Sequence, residues 1–186
     1  MKDELPPGQA PTRKFPLFTV DPVPPIEPGA FRLRILGAVE DRLELGWEEL
    51  VALGEEALEH DFHCVTGWSR TATRWQGVPL AKVLARARPR PGASHALAWS
   101  RGGYSASLPL ADLTAPPGVL LAWSLDGAPI PHGHGGPVRL VVPHLYGWKS
   151  VKWLTKIQLF KREVEGYWEM RGYHRRGDPW REERYG

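Results

Sequence analysis

The spacing of apolar and charged side chains predicts several strands. Residues 31–35 alternate between an apolar side chain and arginine, which is the pattern of a strand with one buried face. Residues 151–159 alternate in a similar way, with lysines among the polar positions, and predict a long last strand. The run 138–142 is apolar apart from Arg139 and is bounded by two prolines, so it predicts a short, fully buried strand.

Two stretches have the periodicity of helices. Residues 46–59 carry an apolar stripe at helical spacing, formed by Trp47, Leu50, Leu53 and Ala57. A second helix is predicted over 78–88, because Pro79 is tolerated in a first turn and Pro89 stops the helix. Between the two, residues 62–69 have no clear period, and Gly67 suits a loop.

The middle of the chain predicts further strands. Residues 96–100 and 104–110 read as two strands joined through a glycine-containing turn. Residues 119–125 and 128–130 predict a hairpin, since Asp126-Gly127 readily adopts the positive φ angles of a type I′ turn. Together these elements predict an α+β fold, with mixed β-sheets, a few flanking helices and long loops.

Proline is concentrated at one end of the chain and aromatic side chains at the other. Residues 1–30 cannot form a helix, because proline lacks an amide donor and clashes with the preceding turn. Apolar side chains predict that this arm lies extended against the domain: Phe15, Leu17, Phe18, Val20 and Ile26. We therefore expect an arm over 1–30, a main domain over 31–160, and a tail of the same domain over 161–186 that wraps on its surface.

Composition excludes several classes of protein. With 186 residues, of which 42% are hydrophobic, the chain is typical of one globular domain. The net charge of +3 comes from scattered basic residues and gives no reason to expect nucleic acid as a partner. The first residues show no apolar signal segment and no twin arginine, and no window is apolar enough to span a bilayer. We expect a cytoplasmic protein without membrane insertion.

Cys64 is the only cysteine, so it cannot form an internal disulfide. A free cysteine is often no more than a small buried hydrophobe. Its neighbours favour a reactive or ligating thiol instead, because His63, Thr66 and Ser69 surround it in a glycine-containing loop. One cysteine is a poor structural zinc site. A thiophilic metal delivered by an organic cofactor would need only this one protein ligand.

Two later segments have the composition of anion-binding loops. In 131–139, three glycines are expected to expose backbone amides to an anion, and a buried Arg139 would need a carboxylate or phosphate. In 146–153, Lys149, Ser150 and Lys152 are predicted to hold a phosphate while aromatic neighbours cover a flat ring. The alternative for both segments is a solvated loop.

Five segments, in this order, resemble the molybdopterin-binding domain of the sulfite oxidase family. They are HCVTGWS at 63–69, WQGVPL at 75–80, GYSASLPL at 103–110, HGGPVR at 134–139 and KSVKW at 149–153. The likeness is strongest to the short, stand-alone prokaryotic members, called sulfite oxidase-like oxidoreductases. It extends from about residue 15 to the end of the chain and implies the fold of that domain, with molybdenum and molybdopterin as the cofactor.

The resemblance implies a role for each matching residue. Cys64 takes the position of the molybdenum ligand, beside two dithiolene sulfurs from one molybdopterin. Tyr104 matches a tyrosine beside the metal, and Arg70 roughly replaces an arginine that binds the oxyanion substrate, so both are expected to be catalytic. Expected contacts to the cofactor are Phe18, Thr19, His63, Ser100, His134, Arg139, Ser150, Val151 and Lys152.

This chain departs from the sulfite oxidase pattern on the substrate side. Those enzymes place paired arginines soon after the cysteine, whereas this chain has Thr66 to Ser69 there. The resemblance implies two-electron oxygen-atom transfer on a small-molecule substrate, with an external electron-transfer partner of unknown identity. Two other functions stay open at this point: a thiol enzyme with Cys64 as nucleophile, and a cofactor carrier without turnover.

Overall fold

The computed structural model of this protein describes residues 4–20 and 22–186. Within them the strands are β1 (Ala10–Pro11), β2 (Arg32–Gly37), β3 (Leu43–Gly46), β4 (Glu56–Cys64), β5 (Trp68–Pro79), β6 (His95–Ser100), β7 (Ser105–Pro109), β8 (Leu120–Leu125), β9 (Ala128–Pro129), β10 (Arg139–Val141) and β11 (Leu154–Phe160). The helices are α1 (Trp47–Val51), α2 (Leu80–Ala87) and α3 (Leu110–Thr114). Single 3₁₀ turns lie at Pro28–Ala30, His132–His134, Gly147–Lys149, Glu169–Arg171 and Pro179–Arg181.

In the described part of the chain the strands form two sheets. One has the order β3-β2-β11-β6-β7, and its β2–β11 pair is parallel while the others are antiparallel. In the other, β5 lies at the centre and pairs with β1, β4 and β8, while β10 and β9 flank β8. The main apolar core includes side chains from both sheets and from helices α1, α2 and α3, and a second, smaller cluster lies around Phe62 and Trp75. Mixed sheets with few helices confirm the predicted α+β class.

The alternating patterns predict the strands well. Phe31, Leu33 and Ile35 are fully buried on one face of β2, as expected from their spacing. The predicted hairpin forms between β8 and β9, with positive φ at both Asp126 and Gly127, as a type I′ turn requires. The run at 138–142 is buried throughout, although only Arg139–Val141 pair as a strand.

The helix predicted over 46–59 is wrong for most of its length. Helix α1 covers only Trp47–Val51, and Gly54 then adopts a φ of +88°, a left-handed conformation that ends it. From Glu56 the chain becomes β4 and pairs with β5 along its whole length. Eight antiparallel pairs between β4 and β5 outweigh a weak helical stripe, and Ala57 from that stripe is exposed on β4.

Three other boundaries also differ from prediction. The loop predicted over 62–69 is reduced to a short turn, because Phe62–Cys64 complete β4 and β5 begins at Trp68. Helix α2 starts after Pro79, which caps it, and the chain leaves the helix at Arg88, which has a left-handed conformation. Residues 151–153 lie outside the last strand, and Trp153 has a positive φ where the chain bends into β11.

The arm and the tail both pack on the sheets. In the arm, β1 pairs in parallel with β5, Phe15 packs in an aromatic cluster, and Ile26 contacts the main core. Leu17 and Phe18 are exposed instead of buried. Residues 1–3 and 21, which the predicted arm includes, lie outside the described residues. The tail runs as loops and two 3₁₀ turns. In the described residues no helix combines the length and apolarity that a bilayer crossing needs.

Asp112 ties helix α3 to the tail. Its carboxylate accepts hydrogen bonds from Arg176 Nε (3.0 Å) and Nη2 (3.0 Å) and interacts with His144 Nε2 at 3.2 Å. Burial alone would raise the pKa of Asp112, but the hydrogen bonds from His144 and Arg176 outweigh burial and lower this pKa from 3.8 to about 2. A carboxylate with a depressed pKa stabilises the fold above the unfolded pKa, and this contribution is lost as the pH falls toward 2.

We therefore expect Asp112→Asn to lower the free energy of unfolding by about 2 kcal/mol at pH 7. The difference from the wild type should shrink below pH 4 and vanish near pH 2, as urea unfolding at a series of pH values will show. Asp41→Asn is the matched control, because Asp41 pairs with Arg88 on the exposed surface and should change stability much less. An equal loss at pH 7 and pH 2 would contradict this prediction.

Candidate functional site

A pocket of about 330 Å³ opens between the arm, the tail and the sheet that contains β5. Its size falls within the range of small-molecule sites. The arm, the β4–β5 turn, the segments 134–139 and 147–153, and the tail all contribute to its walls. Of the predicted site residues, these line it: Phe18, Thr19, Cys64, Ser100, Tyr104, His134, Arg139, Ser150 and Lys152.

Cys64 is the last residue of β4 and stands at the entrance to a tight turn. Gly67 closes this turn with a φ of +94° and donates its amide hydrogen to the Cys64 carbonyl oxygen (3.0 Å). The thiol is partly exposed and lines the pocket, and its Sγ lies 3.2 Å from Thr66 Oγ1. A hairpin turn held by its own backbone thus presents the only sulfhydryl group of the chain to the pocket.

Arg139 is the most deeply buried cation that lines the pocket. Its side chain is 1% exposed, and its guanidinium lies about 5 Å from the ring centres of Phe62 (5.5 Å) and Trp75 (5.2 Å). Nη1 donates to His134 O (2.8 Å) and Nη2 to Ser150 O (3.0 Å), while Nε has no hydrogen-bond partner among the described residues. Burial lowers the pKa of Arg139 to about 9. A buried guanidinium whose contacts are carbonyl groups still requires an anion.

His134 and Lys152 complete the polar wall beside Arg139. Burial lowers the pKa of His134 to about 4, and the nearby charges of Lys152, Arg139 and Arg70 add to the shift, so His134 is neutral at pH 7. Its ring packs on Phe15, with centroids 4.7 Å apart. Lys152 Nζ donates to Phe18 O and Gly133 O, both at 2.8 Å, and so ties the arm to the pocket.

The glycine-rich segment before Arg139 does not expose a run of three glycine amides, because the amides of Gly135 and Gly136 are bonded within the segment, so that expectation is wrong. The amides of His134 and Gly136 donate to Pro131 O, and the amide of Gly135 donates to His132 O. These internal bonds form a compact turn instead of an anion-binding concavity. The segment serves the site through the side chains of His134 and Arg139.

In the segment 146–153, the side chains that face the pocket are not all the ones that were predicted to do so. Lys149 points away from the pocket into a fully buried ion pair with Glu169 (2.5 Å), so the predicted role of Lys149 in phosphate binding is wrong. Ser150 lines the pocket, while Val151 is fully buried and does not. Within this segment Gly147, Trp148, Ser150, Lys152 and Trp153 line the pocket.

Tyr104 and Ser100 reach the pocket from the ends of neighbouring strands. Ser100 ends β6, and the amide of Ser100 donates to Tyr104 O (2.8 Å) across the intervening turn. The Tyr104 hydroxyl donates to Trp148 O (2.6 Å) and so ties this turn to the segment 146–153. Both side chains line the pocket, as do Phe18 and Thr19 of the arm.

His63 and Arg70 do not line the pocket. The alternation of β4 points His63 to the opposite side from Cys64, where it is buried and hydrogen-bonded through Nδ1 to Ser69 Oγ (2.7 Å). Arg70 forms an ion pair with Asp126, and its guanidinium lies over the ring of Phe15, 5.6 Å from the centroid. Phe15 lines the pocket, whereas Arg70 does not.

Sequence reasoning missed the part of the aromatic wall that comes from the tail. Trp148 and Trp153 are among the aromatic neighbours that were predicted to cover a flat ring, whereas Trp168 and Tyr173 lie in the tail, whose function no motif indicated. Burial raises the pKa of Tyr173, which lines the same pocket as Cys64. The dense aromatic content of 161–186 was the one available signal.

The residues present fit a molybdenum–pterin cofactor. Cys64 offers the soft sulfur that such a metal prefers. The buried Arg139, with its unpaired Nε, offers a positive charge for a phosphate group, and Lys152 adds a second cation on the same wall. Aromatic walls suit a flat heterocycle. Among the described residues no group of three His, Cys, Asp or Glu side chains could hold a metal ion by protein ligands alone.

Comparison with known proteins gives consistent results. A sequence model of the family described as "Oxidoreductase molybdopterin binding domain" matches residues 20–168. "Uncharacterized oxidoreductase YuiH" of Bacillus subtilis (strain 168) is 39% identical over 182 residues, which cover 97% of this chain and 91% of that protein. "Sulfite oxidase, mitochondrial" of Homo sapiens is 32% identical over 181 residues, which cover 82% of this chain and 33% of that protein.

Two further comparisons extend the likeness. "Protein-methionine-sulfoxide reductase catalytic subunit MsrP" of Xanthomonas campestris is 32% identical over 160 residues, 73% of this chain and 47% of that protein. The crystal structure of the sulfane dehydrogenase SoxCD from Paracoccus pantotrophus superposes with a TM-score of 0.68 at 24% identity, covering 75% of this chain and 40% of that one. That likeness concerns the fold alone and confirms the predicted domain fold. This chain spans about a third of the sulfite oxidases but most of YuiH.

Proposed function

The chain belongs to the oxidoreductase molybdopterin binding domain family, and from this premise we propose that it is a mononuclear molybdenum oxidoreductase with Cys64 as the protein ligand to the metal. The family implies a molybdenum–molybdopterin cofactor. The observation that carries the proposal is the shared pocket of a lone thiol and a buried, incompletely paired arginine.

The cofactor, when bound, supplies oxygen-atom transfer with a two-electron change at the metal. The chain supplies the binding, the orientation and the electrostatics. Cys64 holds the metal, and Arg139 and Lys152 offset the negative charge of the pterin phosphate. Polar contacts to the pterin come from Thr19, Ser100, His134 and Ser150. The two electrons pass to or from an external partner, whose identity is unknown.

The aromatic side chains exclude water from the pocket. The walls beside Cys64 include Phe62, Trp68, Trp148 and Tyr173. In such a low-dielectric environment the positive charge of Arg139 acts more strongly on a bound anion than it would in water. Tyr104 lines the same pocket, and its hydroxyl, which donates to Trp148 O, joins two segments of the pocket wall.

The geometry gives little support to a thiol enzyme. A nucleophilic cysteine needs a base within hydrogen-bond reach. The neighbouring His63 is oriented away from Cys64 and bonded to Ser69, while the group beside Sγ is the hydroxyl of Thr66.

A carrier without turnover is distinguished by experiment: its bound molybdenum would not be oxidised or reduced by any oxygen-atom donor or acceptor.

We expect Arg139→Met to lower cofactor occupancy by at least about ten-fold, since it removes the buried positive charge that a phosphate group would pair with. Occupancy is measured as molybdenum and pterin per protein after expression in a host that makes the cofactor. The cofactor-free variant should remain folded, with a change in unfolding free energy below about 2 kcal/mol, because losing two hydrogen bonds is offset by losing a buried unpaired charge.

Arg86→Met is the matched control for this variant, because Arg86 is exposed on helix α2 and remote from the pocket lining. It should keep the occupancy of the wild type. Full occupancy in Arg139→Met would contradict the proposed role of this arginine.

We propose a neutral substrate in preference to sulfite. In the described part of the chain the cations that line the pocket are Arg139 and Lys152, and both are assigned to the cofactor. Arg70, the nearest substitute for a sulfite-binding arginine, is paired with Asp126 and is not part of the lining. Turnover with sulfite should be at least ~10-fold slower than with a neutral sulfoxide in steady-state assays. Equal rates would contradict this prediction.

A further inference from the structure

The turn that presents Cys64 is held by residues from both terminal segments. From the arm, Gln9 Nε2 donates to Cys64 O (3.1 Å), and the amide of Ala10 donates to Gly67 O (2.9 Å). From the tail, Arg184 Nη1 donates to Val65 O. Neither Gln9 nor Arg184 lies within residues 20–168, the part of the chain that matches the family.

The hydrogen bonds around Gln9 have a defined direction. Because Cys64 O can only accept, the amide nitrogen of Gln9 faces it, and Gln9 Oε1 therefore faces Ser69 Oγ, from which it accepts a hydrogen bond of 3.0 Å. The single hydroxyl hydrogen of Ser69 is used in this bond, so His63 Nδ1 donates to Ser69 Oγ (2.7 Å). Gln9 thus joins the carbonyl of Cys64 to two buried side chains on the paired strands.

Arg184 holds the next peptide of the same turn. Its guanidinium lies over the ring of Tyr146, 5.3 Å from the centroid, which fixes the direction of the side chain. Nη1 donates to Val65 O, while Nη2 lies 3.4 Å from both Pro7 O and Gly8 O. Arg184 therefore connects the tail, the turn and the arm through one planar group with several donors.

We propose that Gln9 and Arg184 are positioning residues that fix the turn 64–67 from its two sides and so orient the Cys64 thiolate toward the metal. This proposal rests on the proposed function of Cys64. Three carbonyl groups of the turn, those of Cys64, Val65 and Gly67, accept hydrogen bonds from the terminal segments. Without these bonds the turn keeps its internal Gly67–Cys64 bond and the pairing of Cys64 with Trp68 at its base, and the carbonyls of the turn are no longer held by the terminal segments.

The lone cysteine makes the proposal testable without cofactor. In cofactor-free protein, the second-order rate of Cys64 with 5,5′-dithiobis(2-nitrobenzoate) at fixed pH reports how freely the turn opens. We expect Gln9→Leu and Arg184→Met to raise this rate by about five- to ten-fold, the factor that one or two lost hydrogen bonds produce. Loaded protein of either variant should lose pterin several-fold faster than the wild type during dialysis. Arg184→Lys keeps a charged donor group at this position, so it should bring the thiol rate and the rate of pterin loss part of the way back to the wild-type values.

Arg181→Met is the matched control, since Arg181 lies in the same tail but is exposed and forms its ion pair with Glu183 of the tail itself. Rates in Gln9→Leu and Arg184→Met equal to that control would overturn the proposal. A thiol rate that rises only in step with global unfolding, measured in the same buffer, would also overturn it, because that is the result of a merely structural role. Failure of the proposed function is a different result: Cys64→Ser would then keep the oxygen-atom-transfer turnover of the wild type per bound molybdenum, whatever the thiol rates show.

Discussion

Replacing Cys64 by serine should lower oxygen-atom-transfer turnover by at least ~100-fold, because the metal loses the one ligand that the protein provides. A hydroxyl is a harder and much less acidic ligand than a thiol, so serine does not replace the thiolate. Cys64 lies on a turn and is only partly buried, so the fold should be preserved. Turnover is measured with any oxygen-atom donor or acceptor that the wild type accepts, per bound molybdenum.

Thr66→Val is the matched variant for this prediction. It removes the hydroxyl that lies 3.2 Å from Cys64 Sγ but leaves the thiol in place. We expect turnover to fall by about ten-fold or less, as is typical for a residue that contacts a metal ligand without binding the metal itself. If Cys64→Ser and Thr66→Val have similar activity, the thiol is not a metal ligand.

Replacing Lys149 by methionine should lower the free energy of unfolding by about 3–5 kcal/mol, because it leaves the carboxylate of Glu169 buried without its positive partner. Both side chains are fully buried, and Nζ donates to Glu169 Oε1 (2.5 Å), to Ser107 O (2.7 Å) and to Arg175 O. Burial lowers the pKa of Lys149, and the charge of Glu169 opposes that change. Urea unfolding of the cofactor-free protein measures the effect.

The double variant Lys149→Met/Glu169→Leu separates the charge from the packing. It should recover part of the lost stability, since an apolar pair carries no uncompensated charge, but the carbonyls of Ser107 and Arg175 remain without their donor. Lys82→Met is the control, because the Lys82–Glu56 pair is exposed and should contribute less than about 1 kcal/mol. A loss in Lys149→Met no larger than in Lys82→Met would contradict the prediction.

The segment 146–153 contributes both to the stability of the fold and to the wall of the pocket. Lys149 anchors 146–153 to the tail, while Ser150 and Lys152 face the pocket. The tail residue Gly177 packs so closely on Trp148 that an added Cβ would lie 2.6 Å from the indole ring. Stability of this segment and the shape of the pocket are therefore linked through the tail.

Local patterns were sufficient for the strands and turns whose stability depends on nearby residues. The alternation around Leu33 and the Asp126-Gly127 pair both specify backbone geometry within a few residues, and both predictions were confirmed. The helix over 46–59 failed because β4 depends on pairing with β5, a partner that the local pattern does not reveal.

In the candidate site, too, some residues were predicted correctly and others were missed because they depend on distant partners. The order of motifs brought Cys64, His134, Arg139 and Lys152 to one pocket, which local physics alone would not have predicted. Lys149 was misassigned because its partner Glu169 is twenty residues away in sequence, inside a tail with no recognised pattern. The contributions of Gln9 and Arg184 were invisible for the same reason, since each acts through one side-chain contact with a distant turn.

Molybdenum K-edge X-ray absorption tests the central claim most directly, because it counts the sulfur atoms bound to the metal. It would be measured on the loaded wild type and on the loaded fraction of Cys64→Ser. The account predicts one sulfur neighbour fewer in the serine variant, with the dithiolene sulfurs retained in both. The same sulfur count in the two proteins would contradict the assignment of Cys64 as the molybdenum ligand.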